Sequence, residues 1–67
     1  MQTTKLKSRI VEAGYTQRTL ADELGMSANS LGRKINGKAI FNTEEVIRIC
    51  DKLGIVEDAE KAFIFLH

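Results

Sequence analysis

Residues Thr16 to Gly37, TQRTLADELGMSANSLGRKING, constrain the fold more than any other stretch of the chain. Two short amphipathic segments meet there at a tight turn. The first runs Gln17 to Leu24 and carries Leu20, Ala21 and Leu24 at i, i+1 and i+4. The second runs Ala28 to about Ile35 and carries Leu31 and Ile35 at i and i+4. Each spacing gives one apolar stripe at helical period. Only Gly25, Met26 and Ser27 lie between them. Gly25 suits a left-handed residue that ends the first helix, and Ser27 suits the N-cap of the second. Two helices joined by so short a turn form a helix-turn-helix unit.

The flanking sequence repeats the same punctuation. Thr16 caps its helix, and Tyr15 before the cap pairs with Leu20 inside it as a hydrophobic staple. Met26 and Leu31 flank Ser27 in the same way, and Phe41 and Val46 flank Asn42. Glu45, three residues after Asn42, completes a capping box. A first helix is expected over about Thr4 to Ala13, with Leu6, Ile10 and Ala13 inward, Lys5, Lys7 and Arg9 outward, and Gly14 as its stop. Ala21 is small where the two helices of the motif should cross. Ile40 and Phe41 are expected to plug the core. The fourth helix, from Asn42, buries Val46, Ile49, Cys50 and Leu53 and stops at Gly54. A fifth is expected from near Asp58, with Ala59, Ala62, Phe63 and Leu66 on its buried stripe. Ile64 and Phe65 fall off that stripe. They make the C-terminal end a candidate dimer contact, unless the tail folds under the first helix. The expected fold is all-α: a compact bundle of about five short helices, forming one domain over 1–67.

Composition bounds the function. One Cys and one His, the latter at position 67, leave neither a disulfide nor a cluster with metal-ligand spacing. No catalytic constellation, Gly-rich phosphate loop or CxxC motif is present, so neither an enzyme nor a cofactor is expected. Cys50, on an apolar stripe with no base beside it, reads as an inert buried thiol. The longest apolar run, Ala62 to Leu66, is far short of a membrane span. A reducing, cytoplasmic setting is the simplest expectation. Net charge is only +1, but residues 1–41 hold seven Lys/Arg against three Asp/Glu, and residues 42–67 hold three against six. No acid occurs from Leu24 to Thr43, where Arg33, Lys34 and Lys38 fall. That distribution fits a small DNA binder.

Gln17, Leu20, Ala21, Leu24, Gly25, Ser27, Leu31, Asn36 and Gly37 together resemble the helix-turn-helix of the XRE family, the lambda-repressor-like fold of phage repressors and Cro proteins. The likeness extends weakly over about residues 5–65. It implies DNA binding, with the second helix of the motif in the major groove. One departure is visible. The family usually has an apolar residue where Lys34 stands and often a Glu where Ile35 stands; here Ile35 closes the second stripe.

Helical geometry indicates which residues would read bases. Each residue turns about 100°. With Leu31 inward, Asn29 and Arg33 lie about 200° away on the opposite face, one turn apart. Asn pairs bidentately with adenine and Arg with guanine. Ala28 and Ser30 flank them near the helix start, where the family makes base contacts, and Ala28 can meet a thymine methyl. Gly32 either admits a close approach of the DNA backbone or is a mere absence of side chain. Phosphate contacts are expected from Gln17, at the start of its helix and in the family's phosphate-binding position. Asn36, Lys38 and the backbone through Asn42 are expected to hold the strand on the other side. The partner is then double-stranded DNA carrying a palindromic operator, bound by a homodimer with a recognition helix over about 28–36. The function class is a small transcriptional regulator of the phage or prophage Cro or repressor kind. An antitoxin or restriction-control regulator is the alternative within the class. A helical protein-interaction module without DNA binding is the alternative outside it.

Overall fold

The structure is a computed structural model and describes residues 1–66. It contains five helices: α1 Thr3–Glu12, α2 Gln17–Leu24, α3 Ala28–Ile35, α4 Thr43–Leu53 and α5 Asp58–Phe65. The fold is all-α. No described helix is long and apolar enough to cross a membrane.

Local chemistry sets the boundaries. Thr16 accepts the Thr19 N–H, Ser27 the Ser30 N–H and Asn42 the Glu45 N–H, so α2, α3 and α4 start at side-chain caps. The reciprocal half of the box comes from Thr19 at α2 and from Glu45 at α4. Helices α1 to α4 each stop at a glycine with φ between +71° and +83°: Gly14, Gly25, Gly37 and Gly54. The N–H after each glycine returns to a carbonyl five residues back, as from Met26 to Ala21 and from Ile55 to Cys50. This is the Schellman arrangement, which places an apolar residue just past the helix against its last turn. Tyr15 and Met26 occupy that place, and each is also the staple residue of the next helix.

Leu6, Leu20, Leu31, Ile35, Ile49, Ile55 and Ile64 form the fully buried centre, with Ile10, Ala21, Leu24, Cys50 and Leu53 around them. Two arginines lock helix ends across this core. Arg48 donates to the Leu24 carbonyl at the end of α2 (3.1 Å). Arg9 donates to the Leu53 and Gly54 carbonyls at the end of α4 and pairs with Glu60 of α5. Both satisfy carbonyls that a helix leaves without partners. Arg9 is thus a clamp rather than an outward solubilising charge.

Several sequence expectations need correction. On α5 the buried face is inverted. Ile64 is fully buried, whereas Phe63 and Leu66 are exposed and Ala59 faces solvent. The Gln2 N–H binds the Ile64 carbonyl at 2.8 Å and ties the N-terminus to this turn. Ile64 is therefore core and is excluded as a dimer contact. Phe65 is half-buried, its ring edge-on to Phe41 at 5.9 Å. Phe41 packs on the core as expected, but Ile40 is 89% exposed. Ala13 is exposed beyond the end of α1.

Candidate nucleic-acid interface

Helix α3 places its residues as its stripe dictates. Leu31, Gly32 and Ile35 turn inward; Asn29, Ser30 and Arg33 are exposed, and Ala28 is half-buried at the crossing with α2. Ala21 is fully buried, which lets α2 and α3 approach.

The charges of this segment divide into two kinds. Lys34 is bound to Glu45, with Nζ 2.7 Å from Oε1 and 2.5 Å from Oε2. Both side chains are mostly buried. Arg33 and Lys38 are exposed and have no acidic partner among the described residues. The Lys34–Glu45 pair joins the last turn of α3 to the first turn of α4, and so fixes both ends of the loop holding Asn36 and Lys38. Glu45 also accepts the Asn42 N–H at 3.0 Å. Lys34 first, then this backbone bond, hold its carboxyl below the ordinary glutamate range.

The expected phosphate-binding residues fall at two places. Gln17 opens α2 and is exposed; its Nε2 donates to the Ala28 carbonyl at 2.9 Å, joining the two helices of the motif directly. Asn36 caps the end of α3, Lys38 follows Gly37, and Asn42 caps α4. Lys38 stands where an apolar residue follows the other three terminal glycines, and it is exposed. The Asn42 backbone N–H is engaged by Glu45, so its Nδ2 amide is the donor left for an anion.

A helix-turn-helix family model matches residues 6–60, from within α1 to the first turn of α5. The chain belongs to the XRE-type helix-turn-helix family. This XRE-type chain is accordingly a DNA-binding regulator. No curated protein and no solved structure matches it. Its departures from the expected XRE pattern are now explained. Lys34 replaces an apolar residue and is neutralised by Glu45 rather than facing outward. Ile35 takes over the buried position, 2% exposed. Sequence reasoning missed this pairing. Its only signal was a capping-box Glu eleven residues from a lysine placed at the edge of an apolar stripe. It also left Gly32 open; the structure covers that glycine with the Gln17 side chain.

Elsewhere, Cys50 is 3% exposed, and burial pushes its thiol pKa up, away from reactivity. No group of potential metal ligands occurs among the described residues.

Proposed function

We propose that this protein binds double-stranded DNA sequence-specifically as a small transcriptional regulator of the Cro or repressor kind, with α3 as recognition helix. The observation that carries this is the outward face of α3. Asn29, Ser30 and Arg33 are exposed together, and Arg33 has no acidic partner among the described residues. Asn29 and Arg33 read base edges, with Ala28 and Ser30 beside them. Gln17 at the start of α2, and Asn36, Lys38 and the Asn42 amide on the far side, hold phosphates and fix the register. The reading is of a binding protein that acts in the cytoplasm without a cofactor, as one domain.

One recognition helix spans few bases, so a palindromic operator and a homodimer belong to the same proposal. The contact falls at the C-terminal end, where Phe65 borders the exposed Leu66 and Ile40.

Selection of bound sequences from a random duplex pool tests the proposal. A symmetric consensus recovered by the unmodified protein and blurred at one position by Arg33→Ala is the expected result. Recovery of no consensus, or one that Arg33→Ala leaves unchanged, overturns base reading by α3.

A further inference from the structure

Gly32 costs α3 helix propensity, and no backbone requirement explains it: among the glycines with positive φ, it is absent. What explains it is a neighbour. A Cβ built on Gly32 would stand 2.6 Å from Gln17 Nε2 and 3.3 Å from Gln17 Cδ. The Gln17 amide therefore occupies the space beside α3 that a side chain at this position would fill. There its Nε2 donates to the Ala28 carbonyl. Ala28 is the first residue of α3, so in an α-helix its carbonyl already receives the N–H of Gly32 itself. The Gln17 bond is thus not needed to satisfy an orphan group. It sets where Gln17 is held. One amide proton is used on Ala28 and the second remains.

We propose that Gly32 is a positioning residue for DNA binding: it leaves the gap in which the Gln17 amide is fixed, so that its second proton meets a backbone phosphate. The role rests on the DNA-binding reading above. It makes Gly32 act through Gln17, without touching DNA. Preorganisation of this kind raises affinity because the side chain is ordered before the duplex arrives.

A methyl at Gly32 tests this without dismantling the fold. The atom it displaces is the end of a flexible, exposed side chain, and alanine is the stronger helix former. Gly32→Ala is expected to melt no lower than the unmodified protein. Its affinity for the selected duplex and for a scrambled one should fall alike by about three- to tenfold, the range of one net hydrogen bond. The dependence of log affinity on log salt should stay unchanged, because the lost donor is a neutral amide that displaces no counterion, unlike a lysine. In the free protein the Gln17 side-chain amide resonances should move toward those of an unstructured glutamine. In a Gln17→Ala background, Gly32→Ala should cost nothing further.

Equal losses from Gly32→Ala with and without Gln17 overturn the role, because the methyl then acts at the DNA or on α3 directly. So does full affinity in Gly32→Ala alone. If the unmodified protein binds no duplex, the functional reading fails and this role fails with it. If it binds and only the Gly32→Ala comparison gives no change, the functional reading stands and the role alone is lost.

Discussion

Arg33 and Lys38 lie five residues apart and are both exposed, yet they call for different measurements. Arg33 lies on the α3 face with Asn29, where a planar fork can bind guanine at two atoms. Arg33→Ala is expected to cost about 1–3 kcal/mol at the selected sequence, with little loss at scrambled DNA. Lys38 lies past the end of α3, beside the loop backbone. Lys38→Ala is expected to weaken all sequences alike and reduce the salt slope by about one. Loss confined to one sequence would reassign Lys38 to base readout. Lys34, between them in sequence, follows a third logic because Glu45 neutralises it. Lys34→Met should leave the salt slope of DNA binding unchanged but cost stability. The Glu45 pKa is depressed in the folded state, so its contribution is present above the ordinary glutamate range and lost as pH falls through the depressed value. Denaturant unfolding at neutral pH should show Lys34→Met less stable than the parent. Toward strong acid the difference should close. A difference independent of pH would mean that Lys34 acts through its methylenes alone.

The helices differ in how clearly their sequences announce them, and α5 shows why. Ile64→Ala is expected to cost about 2–5 kcal/mol, since the side chain is fully buried. Leu66→Ser, at an 81% exposed position, should stay within about 0.5 kcal/mol. Equal midpoints for the two variants in urea would return Ile64 to the surface. The reverse assignment follows from period alone because Ala62 to Leu66 are all apolar. Five consecutive apolar residues mark no face, and the choice is made by how α5 packs on α1 and the rest of the core, which no local pattern encodes. By contrast, the starts of α2, α3 and α4 were legible from their caps, because a side-chain oxygen three residues before an N–H is a local event. Ile55 carried a signal left unused. It follows Gly54 as Tyr15 follows Gly14 and Met26 follows Gly25, and it is 1% exposed. Read as the residue after a Schellman glycine, it would have been placed in the core. At the candidate interface, the exposed face of α3 followed from its angles. The Lys34–Glu45 pair and the Gln17 cover on Gly32 did not, because both depend on how neighbouring helices cross.

The molecule as a whole measures 28 × 24 × 21 Å, less in every direction than the roughly 34 Å between successive major-groove faces. Two copies therefore fit side by side on one face of the duplex, each with its α3 in the groove. The surface available to join them is apolar. An open groove of about 840 Å³ is lined by Met1, Ile40, Phe41, Val46, Phe65 and Leu66 among others. Ile40 and Leu66 are 89% and 81% exposed at its rim. Phe65 is a poor place to test a dimer because it packs on Phe41, and a charge there would disturb the monomer. Ile40→Ser and Leu66→Asp avoid that difficulty, since neither side chain supports the core and neither change puts an acid in the loop proposed to hold phosphate. Each is expected to keep the parent's melting midpoint and single-site affinity while losing cooperative binding to a palindrome. Covering each large apolar side chain contributes roughly 1.5–3 kcal/mol, so losing one on each side of a small two-fold interface removes a large share of it. The unmodified protein need not dimerise strongly in solution, because the operator holds two copies side by side and raises their effective concentration. Sedimentation with and without the palindromic duplex separates the cases. Two copies per duplex, falling to one in either variant at equal protein concentration, is the expected result. One copy per duplex for the unmodified protein at every concentration would leave the apolar groove without this role and the operator without its symmetry.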